Sequence, residues 1–214
     1  MTVISFVNEK GGSTKSTSAL HFAYWLATKK KKKIQVVDGD PQRSLSRWFA
    51  SMESPIPVTA LISPDELLEQ IPVLANSVDF LVVDGAGSLA ESTRAILFRT
   101  DLAVIPCQPS KLDLDAAADT VRLIKQAQSV RGGLPKAAVF LSRAQKNTRL
   151  KTEAISLLEK IPDLISLKTI IHQRQSTADA FGQSATVWDL PGSGAIAATG
   201  EFEQLFKEIL RLVP

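Results

Sequence analysis

A single cysteine, Cys107, leaves the chain without an intramolecular disulfide and without the thiol cluster that an iron–sulfur centre or structural zinc needs. Histidine is nearly as scarce: His21 and His172 stand isolated and read as a helix-face and a strand-end residue. No apolar run reaches membrane-spanning length. The N-terminus opens on a strand-like segment instead of the basic and then apolar pattern of a signal peptide, so the expected location is cytoplasmic. Charge is nearly balanced, at a formal net +3 over 214 residues. There is no internal repeat, and Pro55 to Pro57 and Pro191 to Gly194 are loop signals too short to separate domains. With 44% hydrophobic residues to supply a core, the expectation is one domain, residues 1–214.

What is present alternates. Apolar, strand-like runs stand at Thr2 to Val7, Lys33 to Val37, Phe80 to Val83, Leu102 to Cys107, Ala137 to Leu141 and Leu167 to Ile171. Helical patterns fill the gaps at Lys15 to Thr28, Ser44 to Ser51, Asp65 to Ala75, Glu91 to Arg99, Asp113 to Ser129, Arg149 to Lys160 and Glu201 to Leu212. Regular alternation of this kind implies βαβ crossovers, and hence an α/β fold with a mostly parallel twisted sheet and helices on both faces.

The first strand runs into Asn8-Glu9-Lys10-Gly11-Gly12-Ser13-Thr14-Lys15-Ser16-Thr17. A strand that delivers a glycine-rich turn into a helix N-terminus leaves backbone N–H groups pointing into a concavity, where the helix dipole and a lysine favour polyphosphate. Backbone from Gly11 to Thr17, with Ser13 and Thr14 included, is therefore the expected phosphate cradle. Lys15 is placed for the β and γ phosphates, and the Ser16 hydroxyl for Mg²⁺. The common pattern requires Gly before that lysine, and here the position is Thr14. A glycine there would permit backbone angles uncommon for a β-branched residue. Two further clusters follow apolar runs: Asp38-Gly39-Asp40-Pro41-Gln42 and Asp84-Gly85-Ala86-Gly87. In open parallel sheets ligands sit outside the carboxyl ends of the strands, so all three clusters should converge there.

Lys10-Gly11-Gly12-x-x-Lys15-Ser16, with its second lysine, resembles the deviant Walker A box of the ParA/MinD group of P-loop ATPases. Asp38-x-Asp40-Pro41-Gln42 and the Walker B pattern at Asp84 are similar to that group too. Val83 to Leu89 and Ile105 to Ser110 look like the small ParA-type partition ATPases, carboxysome-positioning relatives included. The resemblance covers most of the chain and implies a P-loop NTPase that uses ATP and Mg²⁺. It implies that Lys10 reaches across a dimer interface to the partner's nucleotide, so that ATP binding and homodimerisation are one event. It places Mg²⁺ on Ser16 with Asp84 and Asp38 acting through water, and gives the orienting of attacking water to Asp40 or Asp38, undivided. The implied cycle is an ATP-closed dimer on non-specific DNA, released when a cargo-bound adaptor stimulates hydrolysis. The expected location is then the nucleoid. Since the loop begins at residue 8, the helix-turn-helix of larger partition ATPases is not expected, nor is operator binding.

The DNA step has support in the residues themselves. From Arg122 to Lys151 there are eight basic residues and no acidic one, the feature that phosphate-backbone binding needs. Lys146, Arg149 and Lys151 are the candidate contacts. The Lys29 to Lys33 run reads as a polar turn. Two alternatives share the fold: a MinD-like membrane-associated role and an ATP-dependent ligase or synthetase. The amphipathic segment Glu201 to Val213 carries three glutamates against one lysine and one arginine, whereas a membrane-surface helix should be basic. It reads as a core-packing helix, and no membrane partner is expected. Nothing marks a dedicated small-molecule pocket for the ligase.

Overall fold

The computed structural model describes residues 1–87 and 90–213. Seven strands form one sheet in the order β3-β2-β4-β1-β5-β6-β7, every pairing parallel. They are β1 (Thr2–Phe6), β2 (Ile34–Asp38), β3 (Val58–Ala60), β4 (Phe80–Asp84), β5 (Leu102–Cys107), β6 (Lys136–Leu141) and β7 (Leu164–Ser166). The helices are α1 (Lys15–Thr28), α2 (Ser44–Ser51), α3 (Pro64–Ala75), α4 (Ala90–Leu97), α5 (Lys111–Val130), α6 (Arg149–Leu158), α7 (Gln175–Asp179) and α8 (Ser193–Leu210).

The central strands read as unbroken apolar runs because both of their faces are covered. Ile4, Phe6, Val36, Val82 and Val104 point into a core shared with α1, α2 and α8. Val3, Val37, Leu81, Val83 and Ile105 point the other way, against α3, α4, α5 and α6. β1 therefore leads into a helix on one face and its neighbour β5 into a helix on the other. That reversal opens a crevice at the carboxyl edge, where such sheets bind ligands.

α8 is a core helix, as its glutamates imply. Phe202, Leu205, Phe206 and Ile209 are at most 1% exposed, and Phe206 meets Phe22 of α1 at 5.1 Å between ring centroids. Four such side chains contribute about 6–12 kcal/mol of burial, which accounts for the amphipathic pattern without a lipid surface. No helix among the described residues is long and apolar enough to cross a membrane. His21, expected on a helix face, lies fully buried on α1 with its ring stacked on Phe202 at 4.6 Å. Its Nδ1 stands 2.7 Å from the Thr17 carbonyl and its Nε2 accepts from the Val187 amide, so it is a neutral imidazole whose pKa burial lowers to about 4.

Several sequence expectations need correction. The strand expected at Leu167 to Ile171 lies at Leu164–Ser166 instead. Leu167 and Ile171 still donate to β6, but the Lys168 and Thr169 amides are taken by the Glu208 carboxylate, which breaks the ladder. α8 begins eight residues before Glu201, across Gly194 and Gly200, because Ala195 and Ala198 are buried in the same face as Phe202. β3 and α7 were missed, at three and five residues too short to show a period. The acid-free stretch is also not one surface. Arg131 caps the end of α4 and Lys136 bonds the Leu212 carbonyl at the amino edge of the sheet, whereas Arg143, Lys146, Arg149 and Lys151 follow β6 at the carboxyl edge.

Candidate functional site

The three polar clusters meet at the carboxyl edge. Register sets Phe6 of β1 beside Asp84 of β4, and Asp84 beside Asp38 of β2. The loop after β1 is pinned from several sides. Asn8 donates to the Pro106 carbonyl at 2.8 Å and accepts from the Lys10 amide at 2.9 Å, while Gln108 donates to the Gly12 carbonyl at 2.9 Å. Gln108 was not foreseen, because nothing in a lone glutamine after a strand signals a partner 96 residues away. A methyl group on Gly87 would stand 3.2 Å from the Gly11 backbone and 3.3 Å from the Lys15 amine, so the turn after β4 passes close to the loop with little room for a side chain.

Thr14 takes the left-handed conformation, φ 74° and ψ 20°, as the residue before α1. The departure from glycine is therefore real strain, of order 1–3 kcal/mol for a β-branched residue. α1 then starts with no acidic residue in its first turn and no side-chain cap, so its N-terminal amides are free for an anion. The loop lies in a cleft of about 620 Å³ walled by Asp40, Trp48, Arg143, Arg174 and Phe181. Arg174 and His172 are locked by Glu201, which takes a bidentate pair from the guanidinium and a 2.8 Å contact from the imidazole. His172 is thus not isolated, and no local pattern signals its pairing with α8.

Lys15 and Lys10 have different fates. Lys15 is 5% exposed and folds over the loop to donate to the Lys10 carbonyl at 3.1 Å. Burial lowers its pKa, against the opposing charges of Asp84 and Asp40. Lys10 turns outward and lies 2.6 Å from Asp113 in the first turn of α5, which also accepts from Ser110. Asp113 was missed as well. Its spacing from Ser110 reads only as a helix cap.

The aspartates differ as sharply. Asp38 is fully buried and engaged: its Oδ2 accepts from the Ser46 amide at 2.8 Å and hydroxyl at 2.7 Å, and its Oδ1 from the Asp40 amide at 3.2 Å. Asp40 lies half-buried on the cleft wall and accepts from the Gln42 amide at 2.9 Å. Asp84 is fully buried with neither oxygen in a well-formed hydrogen bond among the described residues. Burial pushes its pKa up to about 8. The Ser16 hydroxyl pulls the other way from close by, without good alignment; Asp38 and Asp40 add to the rise and Lys15 opposes it. An orphaned carboxylate beside Ser16 and Lys15 fits a hydrated divalent cation. No group of three or more His, Cys, Asp or Glu among the described residues could hold a metal alone, so nucleotide oxygens would complete the shell. Ser88 and Leu89, part of the motif after Asp84, lie outside the described residues.

A raised carboxyl pKa has a definite sign. Between about pH 4 and 8 the folded state binds a proton at Asp84 that the unfolded state has released, so stability falls as pH rises through that window. Without nucleotide, Asp84→Asn should remove up to about 1.4 kcal/mol per pH unit of that fall. Urea denaturation of both proteins from pH 5 to 8 checks this, and equal slopes would refute it.

The model for the CobQ/CobB/MinD/ParA nucleotide binding domain matches residues 4–187. The chain belongs to this family. Among curated proteins it is similar to maintenance of carboxysome distribution protein A of Halothiobacillus neapolitanus, 27% identical over 211 residues, or 97% of this chain and 95% of that one. It is also similar to protein ParA of Rhizobium radiobacter, 28% identical over 190 residues, covering 85% and 84%. Among solved structures, apo McdA of Cyanothece superposes with a TM-score of 0.80 over 98% of this chain and 99% of that one. At 16% identity that likeness speaks to the fold. The matched residues include the loop from Gly11 to Thr17, and the seven-stranded parallel sheet is the fold of these relatives.

Proposed function

We propose that this protein is an ATPase that dimerises on ATP, binds DNA without sequence preference in that state, and partitions or positions a cargo with an adaptor. The observation that carries the reading is the division of labour between two lysines on one loop. Lys15 is buried against the loop, while Lys10, which a single-site ATPase does not need, turns away from its own cleft, 34% exposed and tethered to Asp113 at 2.6 Å. An outward lysine at the rim of a nucleotide cleft is placed to serve a second copy's nucleotide. The names of the two relatives, one maintaining carboxysome distribution and one called ParA, support a positioning role.

In this reading the Gly11 to Thr17 amides and Lys15 hold the phosphates, and Ser16 and Asp84 hold Mg²⁺, with Asp38 behind them. Mg²⁺, when bound, neutralises charge on the β and γ phosphates. Asp40, on the cleft wall, accepts from the attacking water and orients it. Lys10 of the partner subunit adds positive charge where the transition state develops negative charge.

The DNA step is tested at Lys146, Arg149 and Lys151, on the carboxyl-edge rim that follows β6. Lys146 and Arg149 are exposed, and among the described residues Arg149 is paired only with Glu153 on its own helix, an exposed pair of small energy. Binding of the ATP-bound protein to random duplex should weaken steeply with salt, by about 0.9 in the log–log slope per phosphate neutralised. Changing all three residues to Glu should lower affinity at least about 100-fold at low salt while sedimentation shows unchanged ATP-driven dimerisation. Parental DNA affinity in a variant that still dimerises would remove this surface from the mechanism.

A further inference from the structure

We infer that the lysine turn between α1 and β2 is a second nucleic-acid site, for phosphate backbone, that works without nucleotide. It goes beyond the ATP-gated surface just proposed and does not depend on it. Lys29, Lys30, Lys31, Lys32 and Lys33 are all exposed, and none of the five amines forms an ion pair among the described residues. Together they exceed the net charge of the whole chain, +3.

The fold explains only part of this run. A helix C-terminus favours cations close to it, which covers Lys29 at the cap of α1 and Lys30 beside it, and the Lys30 amine also stands 4.9 Å from the Trp25 ring. Lys31 sits at φ 54°, a position that glycine or asparagine fills at lower cost. Lys33 needs only its backbone, whose amide donates to Asp79 at 2.9 Å. Three adjacent cations beyond the helix end repel one another and do nothing for the turn, so a polyanion outside the chain is what they fit. Lys136 and Arg211 add positive charge to the same amino edge of the sheet.

The ligand is nucleic acid and not a lipid surface because the turn offers nothing to insert. The flanking Trp25, Leu26 and Ile34 are buried at 2%, 0% and 6% exposure. The turn is also remote from the nucleotide cleft: the 14 residues of α1 separate them by about 21 Å. ATP cannot touch it. A protomer with basic surfaces at both ends of its sheet can hold two duplexes.

The test uses the full chain without nucleotide and a labelled random duplex at low salt, read by fluorescence anisotropy. The protein should bind, with a log–log salt slope near −4.5 if the five lysines each neutralise one phosphate, at about −0.9 apiece. The variant Lys29→Gln, Lys31→Asn, Lys32→Gln, Lys33→Gln keeps Lys30 on Trp25 and an αL-tolerant residue at 31. It should lose at least about 30-fold in affinity and most of the slope, with an unchanged urea midpoint. Replacing the same four by Arg should preserve binding. Absence of nucleotide-free binding, or parental affinity in the Gln/Asn variant, overturns the inference. So does a loss confined to phosphatidylserine vesicles, which would make the turn a lipid contact.

Discussion

Lys10→Ala is expected to bind ATP as the parent does and yet remain a monomer, while Asp113→Asn is expected to dimerise at about tenfold lower protein concentration. Both outcomes follow from the 2.6 Å contact that holds Lys10 in its own subunit, with Asp113 only 2% exposed at the head of α5. Moving an equilibrium from 1:99 to 99:1 takes about 5.5 kcal/mol of differential binding, more than one subunit's phosphate contacts supply when they are the same in both states. A lysine that meets the partner's nucleotide only in the dimer is such a differential contact. Its cost is the tether. A charge-assisted hydrogen bond contributes about 1.5–3 kcal/mol, discounted here because Lys10 is 34% exposed, so neutralising Asp113 should return about 0.7 kcal/mol per subunit, or about 1.4 kcal/mol for the two tethers of a dimer, a factor of ten. Sedimentation with and without ATP and Mg²⁺ decides both. Parental dimerisation by Lys10→Ala would end the cross-subunit role, and an unmoved equilibrium in Asp113→Asn would leave that role standing without the tether.

The site was legible where chemistry is local in sequence. The phosphate loop, the pair Asp38 and Asp40, and Asp84 each follow an apolar run, and parallel strands buried on both faces announce themselves by continuous hydrophobicity. α2 falls at Ser44–Ser51 and α1 at Lys15–Thr28, as their patterns imply. What stayed hidden is long-range pairing. Lys10 meets Asp113 across 103 positions, and Arg174 and His172 meet Glu201 across 27 and 29. No periodicity encodes such contacts. The charge stretch misled for the opposite reason: continuity in sequence runs along β6 from one edge of the sheet to the other, so neighbours in the chain end as residents of opposite surfaces. Strain at Thr14 was readable because it depends on one residue and its own backbone.

The two aspartates at the end of β2 and just beyond it, which sequence left sharing one role, should separate on substitution. Among the described residues Asp38, fully buried at the end of β2, accepts from the Ser46 hydroxyl near the start of α2 and from two backbone amides. Asp38→Ala leaves those donors unpaired, at a cost of about 2–4 kcal/mol in stability, and its loss of turnover should accompany a loss of ordered α2. Asp40 is half-buried, and its side chain has one amide to satisfy, from Gln42. Asp40→Ala should therefore cost no more than about 1 kcal/mol. Its effect should fall on chemistry: ATP still binds, turnover drops about 100-fold or more, and the ATP-bound dimer persists because hydrolysis no longer opens it. Urea denaturation, direct nucleotide binding and phosphate release, measured on both variants, separate a structural loss from a chemical one. If Asp40→Ala hydrolyses ATP at the parental rate while Asp38→Ala is stable and inactive, the water-orienting role passes to Asp38, and the hydrogen bonds that tie it to α2 must then break during the cycle.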